Sequence, residues 1–151
     1  MDASTPTDGE TRILVLANRT VDSQELRDVL LARHERGPIA VTLLVPAAWE
    51  VQDPHGGVES ARRRINAALG RLREGGLEVQ ARVGDPDPVV ALRDAWDPAR
   101  YDEIIVSTLP SRVSRWLQID LPRRAERLTG APVLHVEAAE ARTGAAAGDA
   151  A

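Results

Sequence analysis

The sequence predicts a single α/β domain built on a mainly parallel sheet, and three observations carry that expectation. Two unbroken apolar runs, IAVTLLV at 39–45 and IIV at 104–106, have the character of strands covered on both faces, as parallel strands are when helices pack above and below. Segments with helical spacing of apolar residues separate the strand-like runs. Strand and helix signals then alternate along the chain, a pattern that closes only through right-handed crossovers.

The chain has 151 residues, 43% of them hydrophobic, which suits one domain with a normal core. We expect a loose arm over 1–11, the α/β domain over 12–138 and a disordered Ala/Gly/acidic tail over 139–151. A formal net charge of -4 runs against a generic nucleic-acid binder. With no cysteine there is no disulfide framework, thiolate nucleophile or zinc ribbon. No apolar leader or membrane-length run is present, so the expectation is a cytoplasmic protein with no membrane partner.

Taken in order, RILVL at 12–16 is the first strand, followed by the loop Ala17-Asn18-Arg19-Thr20. Asp22 as N-cap, with Glu25 three residues on, predicts the start of the first helix, and Gly37-Pro38 its end. The second strand, 39–45, leads into a long loop with Trp49, His55 and Gly56-Gly57, of a length often found in lids. A helix over 58–73 places Ala61, Ile65, Ala68, Leu69 and Leu72 inside and Arg62, Arg63 and Arg64 outside, with Gly75-Gly76 as its C-cap. Clean alternation from Leu77 to Val83 marks an edge strand. Asp87 then caps a third helix with Pro88 at its first position, and Trp96 is read as core.

The fourth strand opens the stretch EIIVSTLPSRVSRWLQIDLPRR, 103–124, which passes through a Ser/Thr/Arg-rich loop into the last helix. Asp120 is read as the cap of that helix, Gly130 as its end, and 133–136 as a final strand. Carboxyl ends of parallel strands are where open α/β sheets bind ligands, because loops diverge there and helix N-termini face the gap. Asn18, Arg19, Val45 and Gly84 are the ligand-binding candidates from the first three strand ends. Ser107, Thr108, Ser111, Arg112, Arg115 and Arg123 follow the fourth strand, supplying hydroxyls and planar cations suited to a small anion.

No catalytic constellation is legible. His34, His55 and His135 show no metal-ligand spacing, Ser107 and Ser111 have no evident base, and no Gly-x-Ser-x-Gly elbow occurs.

The opening ILVLANRT, the Val83-Gly84-Asp85-Pro86 turn, the YDEIIVST strand and the closing APVLHV together resemble the universal stress protein family over about 12–136. That resemblance implies strand order 3-2-1-4-5, with the loops after strands one and four flanking a nucleotide site. It also implies an acidic residue after strand one at the adenosine end, and a Gly-x-x-Gly then Gly-Ser/Thr loop around the phosphates. Asn18 stands at the acidic position, Ser107 and Pro110 fall on the two glycines, and Asp120 falls where the Gly-Ser/Thr pair belongs. Pro110 removes an N–H and Asp120 brings a carboxylate, so ATP or another adenine nucleotide is disfavoured as a ligand. The resemblance further implies a homodimer through the final strand. The expected function is a non-catalytic ligand-binding or interaction module. The alternative is a nucleotide-binding protein or a weak ATP-dependent phosphate-transfer enzyme using the arginine-rich loop.

Overall fold

A computed structural model describes residues 9–47, 57–110 and 114–139. The expected arm and tail therefore lie outside the described residues but for Gly9–Thr11 and Ala139, as do Trp49, His55, Ser111 and Arg112.

Five strands, β1 (Thr11–Leu16), β2 (Ile39–Pro46), β3 (Glu78–Gly84), β4 (Glu103–Thr108) and β5 (Val133–Glu137), pair in the order β3-β2-β1-β4-β5. Every pairing is parallel, with β1 set between β2 and β4 through Ile13↔Val41 and Ile13↔Glu103. The helices are α1 (Gln24–Arg36), α2 (Gly57–Glu74), α3 (Pro88–Ala95), α4 (Arg115–Gln118) and α5 (Leu121–Thr129).

The two-residue alternation of the strands divides the core. Ile13, Val15, Leu43 and Val45 pack with α1 and α2 residues such as Leu26, Leu30, Ile65 and Leu72. Leu14, Leu16, Leu44, Ile104 and Val106 face the other way, onto Leu92 of α3 and Leu121 and Ala125 of α5. Both faces of β1 and β4 are thus removed from water, which is why their sequences read as apolar runs instead of alternating ones.

Helix ends follow local chemistry. α2 closes in a Schellman turn: the Leu77 N–H reaches the Leu72 carbonyl at 3.2 Å and the Gly76 N–H reaches Arg73 at 3.0 Å, with Gly76 at φ 89°. Asp87 caps α3 by accepting from the Val89 N–H at 2.9 Å, with Pro88 at the first position as expected.

Two expected caps need correction. Ser23, not Asp22, caps α1, its hydroxyl accepting from the Leu26 N–H at 3.1 Å. Asp22 is drawn to arginines instead, lying 3.1 Å from Arg71 on α2 and 3.8 Å from Arg27. Asp120 does occupy the residue before α5, but its side chain makes no capping bond. Its left-handed backbone, φ 54° and ψ 48°, turns the chain sharply between α4 and α5. The single helix expected after β4 is therefore two, with Asp120 at the elbow.

At the amino-terminal edge of the sheet, Arg12 clamps Asp102. Its Nε and Nη2 donate to the carboxylate at 3.1 and 3.0 Å, its backbone N–H donates at 2.8 Å, and Nη1 reaches the Ala99 carbonyl at 2.6 Å. The side-chain and then the backbone bonds from Arg12 hold the Asp102 carboxyl below its ordinary value. Arg33 on α1 makes a second bidentate pair, with Glu103, at 2.6 and 2.8 Å. Among the described residues no helix is long and apolar enough to cross a membrane.

Candidate functional site

The order β3-β2-β1-β4-β5 reverses direction between β1 and β4, so the chain leaves the sheet on opposite faces there and a crevice opens at their carboxyl ends. The ends of β1 and β4 border it.

On the β1 side, backbone turns fold the loop inwards: the Val21 N–H donates to the Asn18 carbonyl at 3.1 Å and the Ser23 N–H to Thr20 at 3.0 Å. Asn18 is consequently only 5% exposed. Its Oδ1 accepts a hydrogen bond from Nη1 of Arg64, which reaches over from the second turn of α2. Arg19, beside it, is half-buried. Val45 ends β2 as core, fully buried.

Gly84 closes β3, its carbonyl accepting from the Ala47 N–H at 3.0 Å. A Cβ there would lie 2.8 Å from the Ala91 Cβ and 2.9 Å from Leu44 Cδ1, so the bare backbone is what lets α3 sit against the sheet.

On the β4 side the hydroxyls are sealed within the protein. Ser107 is 1% exposed and shares a 2.6 Å hydrogen bond with Thr20, tying the β4 end to the β1 loop. Thr108, fully buried, donates to the Leu109 carbonyl at 2.9 Å, and its Oγ1 lies 2.7 Å from Nε2 of His135 on β5. A hydroxyl has one proton, so with Thr108 donating to Leu109 the imidazole is the donor, through Nε2–H. Ser114 caps α4, accepting from the Leu117 N–H at 3.2 Å, while its own N–H closes on the Pro110 carbonyl at 2.9 Å.

The cations lie further out. Arg115 is exposed at the head of α4, and Arg123 is exposed on α5 with its Nε 3.8 Å from Asp120. The structure therefore joins the β1 loop that carries Asn18 and Arg19 to Ser107 at the end of β4 through Thr20, buries Val45 in the core at the end of β2, turns Thr108 towards His135 on β5, and sets Gly84 in the seam between the β3 end and α3. Arg115 and Arg123 stand exposed on α4 and α5.

Sequence reasoning passed over three participants: Thr20, Arg64 and His135. Thr20 sat in the right loop and could have been found from its hydroxyl. Arg64 reads from sequence as one of three outward arginines, and its contact with a residue 46 positions earlier depends on how α2 packs across the sheet.

These features define a fold. A five-stranded parallel sheet of order 3-2-1-4-5 with helices on both faces is the fold of the universal stress proteins. The universal stress protein of Archaeoglobus fulgidus aligns with a TM-score of 0.60 at 15% identity, over 83% of this chain and 93% of that one. The same organism's protein in complex with dAMP gives 0.60 at 10% identity, over 84% and 97%. A family protein of Arabidopsis thaliana with AMP bound gives 0.54 at 14% identity, over 90% and 99%. No protein-family model and no curated protein matches the chain.

Proposed function

We propose that this chain is a non-catalytic binding module of universal-stress-protein fold that takes a small anionic ligand of mononucleotide size at the β1–β4 crevice and holds ATP poorly. The observation that carries the reading is the elbow between α4 and α5. A Gly-Ser/Thr pair there would offer a compact turn and a hydroxyl, whereas Asp120 offers a carboxylate whose side chain is 58% exposed. Pro110 supplies no N–H to the same loop. A triphosphate laid along this wall meets a like charge in Asp120, and a single phosphate can be met by Arg115 at the head of α4, whereas Arg123 is held beside the Asp120 carboxylate. Structures of this fold that carry AMP or dAMP support a ligand of that size.

Calorimetric titration checks this. AMP should bind at least as tightly as ATP with magnesium, and Asp120→Ser should improve ATP binding several-fold while leaving AMP little changed. Low-micromolar affinity of the unaltered protein for ATP with magnesium overturns the reading. Steady release of ADP from ATP would favour the phosphate-transfer alternative instead.

A second property is proposed on a separate observation, self-association through β5. Leu134 on this edge strand is 43% exposed, and the outer edge of β5 has no neighbouring strand among the described residues.

A further inference from the structure

Self-association through β5, as proposed above, would bring together side chains that one chain holds apart, and the inference rests on that reading. Pro132 and Ala138 bond to β4, so by two-residue alternation Val133, His135 and Glu137 direct their backbone groups outwards. Two such edges paired antiparallel across a two-fold axis use all three outward residues only when the pairing is centred on His135. Val133 then stands opposite Glu137 of the second copy, and His135 opposite its own equivalent. Centring on Leu134 or Val136 would leave Glu137 or Val133 beyond the end of the second strand. Directly opposed residues have Cβ atoms about 4.5–5.5 Å apart, close enough for two imidazoles to share one ion.

The side chains of His135 and Glu137 lie on one face of the sheet, the face away from Val136, which packs into the core on the α1 and α2 side. Both residues are exposed. The His135 ring is oriented from within: Nε2–H donates at 2.7 Å to Oγ1 of Thr108, a fully buried residue of β4. The lone pair is therefore on Nδ1. The two ring nitrogens point in nearly opposite directions, so with Nε2 turned inwards to β4, Nδ1 is turned to the outer edge. One nitrogen donating to a protein acceptor while the other offers its lone pair is the arrangement of a metal-ligating histidine. Within one chain the ligands are too few, since among the described residues no group of three His, Asp or Glu side chains could hold a metal ion.

We propose that a divalent transition-metal ion such as zinc binds on the two-fold axis between two copies of this chain. Nδ1 of both His135 rings and the two Glu137 carboxylates form a tetrahedral set of nitrogen and oxygen ligands. Two neutral imidazoles and two carboxylates balance the charge of the ion. Without it, the axis sets carboxylate near carboxylate between copies that each carry a formal net charge of -4. Because the site is complete only in the pair, the ion stabilises the pair over the single chain.

Sedimentation equilibrium of the full chain in EDTA and in zinc chloride tests this. Zinc should tighten self-association about tenfold or more. Native mass spectrometry should find one zinc ion per pair of chains. His135→Ala should lose the zinc response but keep whatever association is seen in EDTA, because the backbone pairing is untouched. Glu137→Gln should weaken the response, and His34→Ala should retain it. Association that is equal in EDTA and zinc overturns the metal site and leaves the β5 reading standing, whereas a chain monomeric in both conditions removes both. A zinc response that survives His135→Ala, or zinc bound to single chains, also overturns the site. Should His135→Ala fail to fold, the ring ¹⁵N signals of His135 in the unaltered protein decide. Nδ1 must shift on adding zinc, and an unmoved signal at saturation overturns the assignment.

Discussion

Gly84 shows how one missing side chain positions an element. The Cα of this residue lies so close to α3 that a methyl group would stand 2.8 Å from the Ala91 Cβ, a contact with no flexible end to yield. Gly84→Ala should therefore push α3 off the sheet and cost about 1–3 kcal/mol. Urea unfolding followed by circular dichroism measures this, and a variant as stable as the parent would mean that α3 adjusts freely. Asp22 teaches a related lesson. Both Asp22 and Ser23 are competent caps, and sequence alone favours the first because Glu25 follows it at capping-box spacing. In the fold Ser23 takes the cap, and Asp22 instead lies 3.1 Å from Arg71, 49 positions later, a contact that local rules do not contain.

The clamp between Arg12 and Asp102 joins the start of β1 to the turn that introduces β4, and so holds the two central strands in register at the edge remote from the crevice. Because its folded carboxyl titrates below the ordinary value near 3.9, Asp102 contributes stability that is fully present above that pH. The contribution is lost as pH falls through the lowered folded value. Asp102→Asn should therefore be less stable than the parent at pH 7, modestly so because the pair is partly solvated, and the gap should narrow in acid. Urea midpoints of both proteins at pH 7 and pH 3 check the sign, and a gap that widens in acid contradicts it. The strands themselves were legible in the sequence because burial on two faces leaves continuous apolar runs, as at 39–45 and 104–106. The elbow at Asp120 was not, since nothing in the string IDLP announces a left-handed residue; Asp tolerates that conformation without requiring it. The candidate site is read from sequence only as a place, at strand ends, and the Arg64 and Thr20 contacts found there are made across packed elements.

For the molecule as a whole, the proposed self-association would rest on the outer edge of β5, which has no neighbouring strand among the described residues. Pro132 directs its carbonyl to Ile104, and Ala138 directs its N–H to Thr108, both on β4. Two-residue alternation between them turns Leu134 and Val136 to β4, leaving the N–H and carbonyl groups of Val133, His135 and Glu137 facing outwards. An isologous dimer would pair these outward groups across a two-fold axis. Proline at His135 should then give a folded monomer, whereas proline at Leu134 breaks a bond within the sheet and should lower stability in any assembly state. Sedimentation equilibrium distinguishes these outcomes. A parent protein that stays monomeric at high micromolar concentration rules the interface out.

The route of the chain through the sheet has a mechanical consequence as well. Thr11 enters β1 at one end of the sheet, its N–H bonded to the Pro38 carbonyl, while Ala138 leaves β5 at the other end, bonded to Thr108. Only β4 lies between these two strands, and all three run in the same direction. Tension applied between Thr11 and Ala138 would slide β1 and β5 lengthwise past β4, loading the hydrogen bonds of each ladder together instead of opening them one after another. Stretched along that line, the domain should yield late and abruptly.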